Sequence, residues 1–215
     1  TGFIQSGDFT LDAAKAIATK MADAIAHRGP DDAGVWLDDR AGLALAHQRL
    51  SIVDLSPAGH QPMMSSGGKY VMVFNGEIYN HQELRLELEK LSQFNASLNE
   101  GVSEFHWHGH SDTETLLAAF EVWGIEATLK KTVGMFAIAL WDRELNVLTL
   151  ARDRIGEKPL YYGFQNKTFM FGSELKALKA HPDFLSEIDR NVLCLYLRHC
   201  YIPSPYSIYK GIKKL

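Results

Sequence analysis

The stretch Phe74-Asn75-Gly76-Glu77-Ile78-Tyr79-Asn80 decides how the rest of the chain is read. It grows out of Tyr70-Val71-Met72-Val73-Phe74, an unbroken apolar run of β-branched and aromatic residues that reads as a buried strand. Asn-Gly is the dipeptide best suited to positive backbone φ, so the strand is expected to stop and turn there. A helical segment over residues 82–88 should follow. A strand ending in Asn75-Gly76-Glu77 sets an amide side chain beside a glycine N–H at a sheet edge, and that pair can hold a developing oxyanion. The same dipeptide also makes plain hairpin turns, so partners are needed elsewhere.

Upstream, residues 11–26 form an amphipathic pattern with Ala14, Ile17, Ala18, Met21 and Ile25 on one face, capped by Asp8 or Thr10. Glycine, proline and turn acids over residues 27–34 end it. Val35-Trp36-Leu37 and Leu43-Ala44-Leu45-Ala46-His47 read as paired strands around Asp38-Asp39-Arg40, followed by a Pro/Gly loop over residues 56–61. Downstream, the polar residues 92–109 read as a surface loop or flap. Ser111-Asp112-Thr113-Glu114 has the capping-box spacing ahead of an apolar helix reaching Trp123, with a shorter helix to Lys131. Four strand-like runs come next (135–141, 147–151, 160–164 and 169–172), then short helices over 174–179 and 190–199. Strands and helices are clustered, not alternating. That favours an α+β fold with two mainly antiparallel sheets face to face and helices outside.

At 215 residues the chain can bury a full core, and 46% apolar with 22% charged residues is ordinary for a globular protein. A net charge of −4 sets aside nucleic acid and anionic membranes as main partners. No apolar run reaches the roughly 18–20 residues of a bilayer span, and no signal-peptide pattern opens the chain. Cys194 and Cys200 are spaced neither as a metal knuckle nor as a redox pair, so a reduced cytoplasmic compartment is expected.

Arg49 follows the strand that ends near His47. Its planar fork can grip a carboxylate, or it can sit at the surface in an ion pair. Asp112 opens a helix, where it can be held by the helix N-terminus or can anchor an ammonium group. With Asn75 and Gly76 as donors and Glu77 as acceptor, the set is complementary to a free amino acid: Arg49 for the α-carboxylate, Asp112 for the α-ammonium, Asn75 and Gly76 for a carbonyl oxygen turning anionic. The alternate histidines of His106-Trp107-His108-Gly109-His110 are expected to be a solvated strand edge, with no metal. Cys194, beside Leu193, Leu195, Tyr196 and Leu197, is expected in the core and not as a nucleophile. The charged turn over residues 152–159 is a solvated hairpin or a domain-docking face.

His27-Arg28-Gly29-Pro30-Asp31, His47-Gln48-Arg49-Leu50-Ser51-Ile52, Asn75-Gly76-Glu77-Ile78-Tyr79-Asn80, Ser111-Asp112-Thr113-Glu114 and the residues 151–162 stand in the order seen in class II glutamine amidotransferases. The chain resembles the N-terminal glutaminase domain of glutamine-hydrolysing asparagine synthetases, and Pro30-Asp31 is the spelling of that branch. The resemblance implies an N-terminal nucleophile hydrolase fold, a four-layer αββα sandwich, over residues 1–200. Residues 201–215 would begin a linker to an ATP-dependent synthetase domain, where ATP and Mg2+ would act; no cofactor is expected in residues 1–200. It implies that Arg49, Leu50, Ser51, Ile52 and Val53 bind glutamine together with Asn75, Gly76, Glu77 and Asp112, and that Asn75 and Gly76 form the oxyanion hole. Ammonia would pass to aspartate or to a related carboxylate in polysaccharide assembly, and a homodimer is left open. The family nucleophile is a Cys in a Cys-Gly-x-x-Gly-Phe opening, its own α-amino group serving as base. Gly2-Phe3 match the end of that motif, so the Cys belongs three residues ahead of Thr1. Thr1 is no substitute, because three residues along a strand is about 10 Å and the opposite face. Either a Cys precedes Thr1 in the intact protein, or this is an amidotransferase-like binding module without a nucleophile.

Overall fold

The computed structural model describes residues 1–7, 9–52, 54–97 and 106–215. In chain order the elements are β1 (Gly2–Gln5), α1 (Leu11–Asp23), β2 (Asp32–Asp38), β3 (Leu43–Arg49), β4 (Met63–Met64), β5 (Tyr70–Ile78), α2 (His81–Ser97), α3 (Asp112–Trp123), α4 (Ile125–Lys131), β6 (Gly134–Asp142), β7 (Val147–Arg152), β8 (Tyr161–Gln165), β9 (Thr168–Gly172), α5 (Leu175–Lys179), α6 (Arg190–His199) and β10 (Ile212–Lys214). They build a six-stranded sheet, β10-β8-β9-β1-β3-β2, and a four-stranded sheet, β4-β5-β6-β7, with antiparallel pairing throughout.

Three apolar layers hold these pieces together. Ala44 and Ala46 of β3 face Ala14, Ala18 and Met21 of α1. Tyr70, Met72 and Phe74 of β5 face Leu84 of α2 and Leu116 and Phe120 of α3. Between the sheets lie the residues of opposite parity, Leu43, Leu45, Val71 and Val73, with Ala139, Trp141 and Phe171. Strands covered on both faces have no polar side to show. For that reason β3 and β5 read as continuous apolar runs and not as alternating ones. The order is helices, sheet, sheet, helices, as expected.

Several local expectations are corrected. The chain does not turn at Asn-Gly: β5 runs straight through, pairing Asn75 with Ala137 and Gly76 with Phe136. A Cβ at Gly76 would collide with the carbonyl oxygen of Met135, so this glycine permits close backbone approach within a ladder. Residues 92–97 continue α2 instead of opening a flap. The histidine tract from His106 onward is no strand edge; it is tied down before α3 by side chains. Cys194 is exposed, because α6 buries only Val192 and lies on the outside of the molecule. Thr10 takes the N-cap position of α1 but makes no side-chain capping bond, and Asp8 lies outside the described residues. Ser111 caps α3 as expected, accepting from the Glu114 N–H at 3.2 Å. Residues 212–214 form the edge strand of the six-stranded sheet beside β8. Among the described residues no helix is long and apolar enough to cross a membrane.

Candidate active site

The free edge of β5 organises the site. In an antiparallel pair, successive residues point their N–H and C=O groups alternately toward and away from the neighbouring strand. Phe136, opposite Gly76, turns its own backbone to Asp153, donating to Oδ2 at 3.2 Å and accepting from the Asp153 N–H at 2.8 Å. Phe74, Gly76 and Ile78 therefore all direct their N–H groups off β6. The Phe74 N–H donates to Gln61 Oε1 at 2.7 Å, and the Ile78 N–H to Asp112 Oδ2 at 3.0 Å. Between these two engaged groups the Gly76 N–H faces a cleft. Asn75 alternates to the inter-sheet side, where its Nδ2 reaches Ser173 Oγ at 3.5 Å.

Arg49 closes β3 and is buried, at 8% exposure, so the surface ion-pair alternative is set aside. Its Nη1 donates to Ser56 O at 3.0 Å and its Nη2 to Asp54 O. The loop of residues 54–59 wraps the guanidinium, and a Cβ at Gly59 would strike it. The fork carries more N–H donors than these two carbonyls use, and Arg49 forms part of the cleft wall.

Asp112 comes from another layer, the head of α3. Its Oδ2 accepts from Ile78, its Oδ1 from the Thr113 N–H at 2.9 Å. Burial pushes this carboxyl above the ordinary range, and the backbone N–H groups only partly pull it back. A carboxylate in that state gains most from an added cation.

Arg49, Asn75, Gly76, Glu77 and Asp112 line one cleft of about 280 Å³, near the lower end of small-molecule sites. Its charged residues are mixed: Arg28, Arg49 and Lys158 against Asp54, Glu77 and Asp112. Leu50 and Ile52 form an exposed rim, 53% and 71% accessible. Ser51 gives its N–H to Asp31 Oδ2 at 2.8 Å, and Val53 lies outside the described residues. His47 lines both the cleft and the adjoining inter-sheet space; burial, reinforced by nearby positive charge including Arg49, lowers its pKa to about 3, so the ring stays neutral. Thr1 borders that same space, with its Oγ1 donating to Phe171 O at 2.9 Å.

His47, Gln61 and Lys158 were not anticipated. Gln61 sits in the Pro/Gly loop, where no periodicity marks it, yet it joins β5 to Thr113 of α3 through a 3.4 Å contact. Lys158 lies in the charged turn after β7. Asp153 knits that turn internally, accepting from the Glu157 and Lys158 N–H groups at 2.9 and 3.0 Å. Among the described residues no group of acidic, histidine or cysteine side chains is placed to hold a metal.

A buried guanidinium, a buried carboxylate and a strand-edge N–H in one small cleft between antiparallel sheets define a class, and the comparisons agree with it. The family of glutamine amidotransferase domains matches residues 2–215, and the chain belongs to it. It is similar to asparagine synthetase [glutamine-hydrolyzing] 3 of Bacillus subtilis, 38% identical over 200 residues that cover 91% of this chain and 30% of that protein. A putative asparagine synthetase [glutamine-hydrolyzing] 2 of Methanocaldococcus jannaschii is 35% identical over 214 residues, covering 91% of this chain and 38% of that protein. The chain thus spans about a third of the length of these relatives. Among solved structures, the glutamine phosphoribosylpyrophosphate amidotransferase of B. subtilis superposes with a TM-score of 0.62 at 20% identity, over 83% of this chain and 42% of that one. The fold is that of the N-terminal nucleophile hydrolases.

Proposed function

We propose that the cleft binds L-glutamine and hydrolyses its side-chain amide to glutamate and ammonia. The observation that carries this is the Gly76 N–H, directed into a cleft shared with Arg49 and Asp112. Arg49 takes the α-carboxylate as a charge-assisted pair, Asp112 and Glu77 take the α-ammonium, and Leu50 and Ile52 line the rim. These contacts fix the substrate so that its amide carbon lies by Asn75. As a thiolate adds to that carbon, the carbonyl oxygen becomes anionic and receives the Asn75 Nδ2–H and Gly76 N–H donors. The amide nitrogen leaves as ammonia after taking up a proton, and water then releases glutamate from the thioester. The thiol belongs to a Cys ahead of Thr1. The Thr1 hydroxyl is an unsuitable substitute, since it is spent on Phe171 O.

Ammonia then goes to an ATP-dependent amide-forming domain of the full-length protein, with aspartate or a related carboxylate as acceptor. Two facts support this step: the relatives named as asparagine synthetases, and the third of their length that this chain spans. ATP and Mg2+ are assigned to that domain.

The test uses the full-length protein with the residues that precede Thr1. Glutamate release should be measurable, and Asn75→Ala should lower turnover by roughly 100-fold or more at little change in the glutamine KM. A drop below tenfold counts against Asn75 as an oxyanion donor. Glutamine binding with no glutamate release would leave a binding module only.

A further inference from the structure

Asp54 is buried at 8% exposure, while its neighbours Leu55, Ser56 and Pro57 are exposed. A buried carboxylate must find partners, and here they come from two separate parts of the chain. Oδ1 accepts from the Ser56 N–H at 2.8 Å, within its own loop. Oδ2 accepts from the His110 N–H at 2.9 Å, two residues before Asp112. The Asp54 carbonyl oxygen, meanwhile, receives Arg49 Nη2.

The approach from the other side is equally close. Gly109 packs against Asp54 so tightly that a Cβ there would collide with Oδ2 and stand 2.9 Å from the Ala58 Cβ. Glu114, from the first turn of α3, fixes this segment from behind, accepting from the His108 and Gly109 N–H groups at 2.7 and 3.1 Å. Arg85 locks Glu114 in turn, at 3.2 Å, and donates to Gly109 O at 3.0 Å. Hydrogen bonds from Ser56 and then from His110 hold the Asp54 carboxyl down at about 2, so it is ionised throughout the working range of pH.

We infer that Asp54 is a positioning residue that couples the two ends of the amino-acid cleft. Its carbonyl aims Arg49, and its carboxylate holds the 109–111 segment that sets the head of α3, and with it Asp112. The spacing between the α-carboxylate and α-ammonium subsites is then fixed by a residue of the cleft wall whose carboxylate is engaged by the Ser56 and His110 N–H groups. This deepens the glutaminase reading and rests on it for what the cleft holds.

The test compares Asp54→Asn, Gly109→Ala and the double variant in the full-length protein. Asp54→Asn turns an amide N–H toward one of two N–H donors, and Gly109→Ala pushes the same contact apart from the opposite side. Each should raise the glutamine KM about tenfold with turnover held within about twofold, the scale of one charge-assisted hydrogen bond. The double variant should be no worse than either single one, because both break a single contact. Unchanged KM in both single variants, or effects that multiply in the double, would overturn the inference. A merely structural role would lower the melting temperature and leave KM alone. If Asp54→Asn does not fold, Gly109→Ala alone decides by the same KM criterion. If the unaltered protein neither binds nor hydrolyses glutamine, the glutaminase reading fails. The latch is then judged by amide exchange at His110, faster in Asp54→Asn if it exists and unchanged if it does not.

Discussion

At Asp112, burial and hydrogen bonding pull in opposite directions, and burial wins. The consequence can be signed. An ammonium ligand binds the ionised carboxyl, so glutamine affinity is full above the Asp112 pKa and is lost as pH falls through it. Because that pKa is raised, the loss should begin above the ordinary aspartate value of about 3.9. The glutamine KM should therefore climb on acidification, and Asp112→Asn should raise KM across the whole pH range and remove the early part of that climb. A profile that is flat in the unaltered protein to below pH 4 would remove Asp112 from the ammonium site. Asp112 was legible in the sequence because Ser-Asp-Thr-Glu fixes both the helix start and the residue at its head. His47 was not. A histidine at the end of a strand carries no mark of the desolvation that keeps it neutral.

β5 shows how an element can override its own local signal. Asn-Gly prefers a turn, yet residues 75–78 stay extended because β6 pairs with them on one side while Gln61 and Asp112 engage the other. The Gly76 N–H still reaches the cleft, since a strand edge presents it as well as a turn would. The glycine itself is required by Met135: Gly76→Ala should lower unfolding free energy by about 1–3 kcal/mol, the scale of overpacking a filled site. Urea denaturation would measure it, and an unchanged midpoint would mean that β5 and β6 are less closely apposed than described. Residues 92–97 depart from expectation for a related reason: polar composition resembles a loop, whereas α2 needs only one apolar face, supplied by Leu84 and Leu88.

The whole molecule brings its cleft together from three layers: Arg49 from the six-stranded sheet, Gly76 from the four-stranded sheet, Asp112 from the outer helices. The layered architecture was readable from clustered apolar runs, because strands buried on both faces leave that pattern. α6 was readable as a helix over residues 190–199, but its outward placement was not, since Leu193, Tyr196 and Leu197 recur as on a core helix and yet remain exposed. The most direct measurement is a calorimetric titration with L-glutamate, which keeps both α groups of glutamine without an amide to hydrolyse. Its α-amide and its N-acetyl derivative are titrated beside it. Binding of glutamate alone, abolished in Arg49→Ala and in Asp112→Ala, is the predicted result. Equal binding of all three, or glutamate binding that survives both substitutions, would contradict a cleft built for a free amino acid.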